Sequence, residues 1–354
     1  MSSQNESKTG TDSPLCESGK SGRGLLYLVI GTALFAASFS VIAKMVDIGR
    51  DNLIDGRNPI SFCNVLFAGN IVAGITFSLL FFRDFKTEKI RVVKRGHWGL
   101  LVLIAFLEGG LAPAFIFIAL EEIPVASVVL VQSIQIPLVL LAAWIIHKER
   151  SNKIAVIGAF IAVAGIVLMV GLKAGSGVTS VAGMPVGVSE LRVAIASFLF
   201  VLATQLRRRL TWEVPIGVYA MVRTVAGTIF FAIVVLSLFG PEHFVDIFSP
   251  TLWKWMLVYG ILIVAAGQTF WHLSLRTASA AHISLAEATT PVLGIAFAFL
   301  ILQQSPTVAE IIGGTVVILG VFLIARYATS KEGSRLPWME TRAVTEKPGP
   351  FTGV

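Results

Sequence analysis

Long apolar runs separated by short polar breaks dominate the chain. They fall at roughly 24–46, 59–82, 98–120, 123–147 and 154–172, then at roughly 189–206, 216–239, 253–275, 279–302 and 308–328. Each is long enough for a membrane-crossing helix, because about 20 helical residues at ~1.5 Å each cover the hydrocarbon core. The pattern predicts an all-α integral membrane protein with ten transmembrane helices and short connections. The sixth run is the least regular, since Glu190 and Arg192 stand at its start.

Composition agrees with this. Of 354 residues, 55 % are hydrophobic and only 14 % charged, with a mean hydropathy of +0.81. Soluble domains carry about 25 % charged residues. The net charge of +7 therefore calls for no nucleic-acid partner. It follows from Lys and Arg gathered in loops on one side. With both termini in the cytoplasm, 21 of the 28 Lys and Arg residues fall inside. Only Arg50, Arg57, Lys173 and Lys254 fall outside, and Lys44, Arg192 and Arg223 lie within or at the ends of spans. The positive-inside rule then sets the orientation of a multi-pass protein of the cell (inner or plasma) membrane. Residues 1–23 and 329–354 are polar and are expected to be disordered cytoplasmic tails. Cys16 and Cys63 suggest no disulfide framework.

The chain repeats itself. "FIFIALEEIPVASVVLVQSIQIPLVLLAAWIIHKERSNKIAVIGAFIAVAG" lies beside "FWHLSLRTASAAHISLAEATTPVLGIAFAFLILQQSPTVAEIIGGTVVILG". Pro137 matches Pro291. The Gly158/Gly165 pair has the same spacing as Gly313/Gly320. Five spans per half is an odd number, so the second half enters the membrane from the opposite side. The basic "HKERSN" accordingly has an uncharged counterpart, "QQSPT". Two inverted five-helix repeats, 24–172 and 189–328, are thus expected around an external linker at 173–188. Inverted repeats are a transporter feature, because two mirrored halves can exchange conformations.

These repeats, with "VPIGVYAMVRTVAG" at 214–227, resemble the drug/metabolite transporter superfamily, specifically permeases with two EamA repeats. The resemblance implies ten helices around a central cavity lined by the third, fourth, eighth and ninth, with the first and sixth nearby. It also implies cytoplasmic termini and export or exchange of small metabolites. Two departures stand out: Phe67 occupies the place of Arg223 in the first repeat, and Gln303 replaces Glu149 in the second.

Ionisable groups inside a membrane are costly unless paired or hydrated, so they are functional candidates. Glu108 lies in span three within "LEGGLAPAF", where Gly109, Gly110 and Pro113 weaken the helix next to it. Such interruptions point to a midplane binding site. Glu287 lies in span nine, four residues before Pro291. Arg223, in span seven, shares its expected depth, so the two could pair. Gln132, Gln135 and Gln268 could orient a substrate. Phe115 and Trp271 would give the cavity apolar walls. The expected substrate-binding set is therefore Glu108, Phe115, Gln132, Gln135, Arg223, Gln268, Trp271 and Glu287. Small residues at Ala286, Thr290, Gly294 and Ala298, and the glycines of spans five and ten, read as packing surfaces. Spans five and ten could also meet a partner in a homodimer.

The expected function is secondary transport, as exporter or exchanger, of a small amphipathic metabolite by alternating access. Glu108 and Glu287 leave proton coupling open. No nucleophile, metal-ligand cluster or phosphate loop stands at catalytic spacing. The chain is therefore expected to be no enzyme and to need no cofactor or metal. An integral-membrane enzyme acting on lipid-like substrates, or a channel or sensor, remains the alternative.

Overall fold

In the computed structural model the described residues are 14–82, 93–147, 153–175, 180–181, 184–185, 187–208, 210, 214–278 and 280–329. The remaining tail residues, the loop residues 83–92 and residues 148–152 of the loop "HKERSN" lie outside them.

Among the described residues, ten helical segments are long and apolar enough to cross a membrane: span one Gly24–Arg50, two Phe62–Leu80, three Arg95–Glu122, four Val125–Ile146 and five Lys153–Gly175. Then come span six Val188–Arg207, seven Gly217–Ser237, eight Pro250–Trp271, nine Leu285–Leu302 and ten Val308–Arg326. This is the expected all-α membrane architecture. The helix of span one begins earlier than its apolar run, at Pro14, and a proline's fixed φ suits a first helical turn. In the linker, Ser180–Val181 and Met184–Pro185 pair as a short antiparallel ladder.

The packing has the symmetry of the repeat. Span one lies against spans eight and nine, and its counterpart, span six, lies against spans three and four. Span eight packs on span two as span three packs on span seven. Spans two and seven meet each other, as do spans five and ten. The face carrying the start of span one and the end of span ten is called the tail face below. The opposite face, carrying the 173–188 linker, is the linker face.

The crossing of spans five and ten explains its four glycines. A Cβ on Gly158 would sit 2.7 Å from the Gly320 carbonyl oxygen, and one on Gly165 would sit 2.8 Å from that of Gly313. Apolar helices in lipid gain little from hydrophobic burial against one another, so close backbone approach supplies the contact. On span nine, Gly294 likewise admits Val129 of span four.

Spans three and eight share a further feature. Residues Ala105–Leu111 and Tyr259–Ala266 are π-helical, each between α-helical stretches. The repeat aligns Pro113 with Gln268, which superposes these two π segments. A proline is therefore not their common cause. Each lies where its helix crosses a neighbour closely. Gly260 sits against Val72, and Gly109 against the Arg223 carbonyl and Gly227.

Span four breaks at Ser133–Ile134, between the helices Val125–Gln132 and Gln135–His147. Pro137 has no N–H to give the Ser133 carbonyl. That carbonyl accepts instead from the Ile136 N–H at 3.2 Å. Pro291 sits inside an unbroken helix in span nine.

On the linker face every described charge of spans five, six and ten is tied. Lys173 donates to Ser127 Oγ and lies 3.3 Å from Glu310 and 3.5 Å from Glu190. Ser127 Oγ donates to Glu310. Thr307 and Glu310 close a capping box at the start of span ten. Arg192 and Ser189 both donate to Glu122 at the end of span three. The charges that made span six look irregular are thus the anchors of its first turn. Arg57 of the loop after span one donates to Asp246 of the loop after span seven at 3.1 Å. That bond and charge hold the guanidinium above its ordinary pKa range.

Candidate functional site

Glu108 sits within the π-helical segment of span three and is only 9 % exposed. Its carboxylate gathers three partners. Arg223 Nε donates to Oε1 at 2.8 Å, and Tyr219 OH donates to Oε2 at 3.1 Å. Arg207 Nη1, from the tail-face end of span six, lies 3.7 Å from Oε1. Arg207 also donates to Tyr219 OH at 3.3 Å and its guanidinium stands 5.7 Å from that ring's centroid.

Local structure explains the grouping. Tyr219 and Arg223 are four residues apart on one α-helix, so they share a face. The Gly109–Gly227 crossing brings that face against span three: a Cβ on Gly109 would sit 3.0 Å from Gly227 Cα. The close approach puts the Arg223 stem within reach of a carboxylate one residue away from the contact. Charge-assisted bonds of this kind are about twice as strong as neutral ones. In a membrane they replace the hydration that both ions have lost.

The pairing differs from the expected one. Arg223 bonds Glu108 rather than Glu287. Span seven packs on spans two and three, whereas span nine packs on spans one, four and ten. Equal depth in the membrane did not make the two helices neighbours. Glu287 itself lies on an exposed position of span nine.

The other expected residues are distributed over both halves. Gln132 and Gln135, both half-buried, flank the break in span four. Phe115 packs at the edge of the main hydrophobic core. Trp271 of span eight stacks edge-on against Phe35 of span one at 5.9 Å, beside the close approach of Gly31 to the Trp271 backbone. Gln268 lies half-buried one turn earlier. A groove of about 290 Å³ is lined by spans two and seven near Asn70, Gly74 and Thr224. It includes none of the expected residues.

Sequence reasoning missed Tyr219 and Arg207. The spacing of Tyr219 from Arg223 was the available signal. Arg207 belongs to a run of three arginines at 207–209 that reads as loop charge, and only the tertiary packing of span six brings it to the site.

Ten spans in two inverted repeats, with a buried ion cluster at a π turn, define a polytopic membrane protein of the inverted-repeat class. The sequence pattern of the EamA-like transporter family matches residues 22–171 and 189–326, and the chain belongs to that family. It is a membrane transporter. It is 34 % identical over 331 residues to an uncharacterized transporter of Synechocystis sp., covering 93 % of this chain and 95 % of the relative. A crystal structure 21 % identical to it shares the fold, with a TM-score of 0.56 over 86 % of this chain and 99 % of the other.

Proposed function

We propose that this chain is a secondary transporter that exports or exchanges a small amphipathic metabolite by alternating access. The observation that carries the reading is the Glu108 cluster on one of two matched π segments. The repeat supplies two halves that can trade conformations, and the cluster supplies a charged contact that can open in one of them. The position matching Glu108 in span eight is Ile263, so this carboxylate has no counterpart in the other half.

A substrate ammonium would compete with Arg223 for the Glu108 carboxylate, and a substrate carboxylate would compete with Glu108 for Arg223. An amino acid, a nucleobase or an organic cation each has the needed mix of polar edge and apolar body. A proton on Glu108 would release Arg223 in the same way, which is the basis proposed for proton coupling. The Lys and Arg distribution supports cytoplasmic termini, in a protein of the cell membrane.

The test compares metabolites inside and outside cells that overexpress the protein, lack it, or carry Glu108→Gln. Wild-type expression should shift a small set of metabolites, and neither the Glu108→Gln protein nor the Glu108→Gln/Arg223→Gln protein, which controls for lost stability, should do so. Identical metabolite profiles in overexpressing and deleted cells would reject transport of a small metabolite.

A further inference from the structure

Spans one and six carry buried polar groups that bond to nothing. On span six, Ser197 Oγ and both amide atoms, Oε1 and Nε2, of Gln205 are enclosed without a hydrogen-bond partner. On span one the same is true of Thr32 Oγ1 and Ser40 Oγ. All four residues are more than nine-tenths buried, with Ser40 and Ser197 at 0 % exposure and Gln205 at 6 %.

Their positions correspond. "GTALFAASFSVIAK" at 31–44 aligns without gaps on "ASFLFVLATQLRRR" at 196–209. Thr32 then falls on Ser197, Ser40 on Gln205, and Leu34–Phe35 on Leu199–Phe200. Each pair is two helical turns apart, so its members share one stripe. Burial follows the same register, with Ala36 and Val201 buried between the pair members. Span one lies between spans eight and nine and span six between spans three and four. The two stripes are thus related by the repeat.

A membrane interior offers no water to an unpaired donor or acceptor, so each such group carries a standing cost. A hydroxyl can relieve it by turning to a carbonyl one turn back. A glutamine amide has a longer reach and two kinds of atom to satisfy. That both remain open points to a partner absent from this conformation.

We propose that Gln205, with Ser197, is a substrate-binding subsite on span six, exposed when that span separates from spans three and four. Its ligand class is a compound with an amide-like edge, one donor beside one acceptor, such as a carboxamide or a nucleobase. The glutamine amide meets that edge with two parallel hydrogen bonds. The span-one stripe, which has hydroxyls only, is its counterpart in the other half and lacks the two-point contact. The proposal rests on the transporter reading and narrows its substrate.

Cysteine is placed at position 197 by Ser197→Cys, in a full-length background with Cys16→Ser and Cys63→Ser. A small polar methanethiosulfonate reagent is then applied to membranes. Glutamine, adenine and uracil serve as amide-edged probes, and tetraethylammonium as a cation without hydrogen-bonding groups. Labelling should proceed, and at least one amide-edged probe should slow it while tetraethylammonium does not. Adding Gln205→Leu, or Gln205→Met should the leucine variant not accumulate, should abolish the protection and leave labelling intact. The same change alone should raise the melting temperature, because it removes two unpaired polar atoms. The proposal is overturned by absence of labelling, by absence of protection, or by protection that survives Gln205→Leu and Gln205→Met. A fall in melting temperature in both variants would also overturn it, since it would mark a purely structural amide. These results are independent of the metabolite comparison. Metabolite shifts without protection would remove the subsite and leave the transporter.

Discussion

At the scale of single residues, Glu108 was legible because a lone carboxylate within an apolar run has few explanations. Its partner was not. Sequence gives depth along a helix and says little about which helices touch, so equal depth offers Glu287 as a possible partner for Arg223. The Gly109–Gly227 crossing decides the matter, and two glycines in different helices are too common a signal to pair by inspection. The assignment has a measurable consequence. Removing one member of a buried ion pair strands the other, at a cost of about 3–5 kcal/mol. Glu108→Gln should therefore lower the melting temperature of the purified protein in detergent by a large margin. Joint replacement with Arg223→Gln should recover much of that loss while transport stays absent. Glu287→Gln should cost less stability, because position 287 is exposed. A larger loss in Glu287→Gln than in Glu108→Gln would contradict the pairing.

At the scale of elements, the ten spans were readable from length and hydropathy alone, since the bilayer permits little else. The π segments were not. They carry no common residue, with Pro113 in one half facing Gln268 in the other, and hydropathy is blind to a change of helical register. The glycines of spans five and ten were readable as packing, and the structure shows that they serve a crossing within the chain. Glycine substitutions separate crossings from open positions. A Cβ at Gly320 would stand 2.4 Å from the Ala162 nitrogen, and one at Gly109 would stand 2.6 Å from the Arg223 oxygen. Gly109→Ala and Gly320→Ala should each cost about 1–3 kcal/mol, the usual penalty of overpacking. Gly171 has nothing within 4 Å of its added Cβ. Gly171→Ala should be neutral or stabilise by up to ~1 kcal/mol through helix propensity. Thermal denaturation of the three variants side by side checks the ranking. A second element-scale expectation concerns Lys173, which stands between two buried carboxylates. Lys173→Met should destabilise strongly by leaving Glu190 and Glu310 without their cation. Adding Glu310→Gln should restore part of the loss, which a double-mutant cycle would measure.

At the scale of the whole molecule, the two faces differ in kind. The linker face is closed by specific pairs. Lys173 with Glu190 and Glu310 joins spans five, six and ten, Arg192 with Glu122 joins spans six and three, and Arg57 with Asp246 joins two loops. On the topology read from the sequence, most of the Lys and Arg residues fall on the other side. That asymmetry is electrostatic and belongs to the membrane, so sequence reads it more directly than coordinates do. It predicts that position 151, between spans four and five, faces the cytoplasm. Position 305 is its counterpart between spans nine and ten, exposed and on the other side. The inverted repeat makes this pair a stringent test, because the same place in each half must lie on opposite faces. Single cysteines are introduced by Ser151→Cys and Ser305→Cys in a background lacking Cys16 and Cys63. A membrane-impermeant thiol reagent on intact cells should label position 305 alone, and both positions after the cells are opened. Labelling of 151 alone would invert the orientation while sparing the repeat. Labelling of both in intact cells would place the two loops on one face, which an odd number of spans per half cannot give.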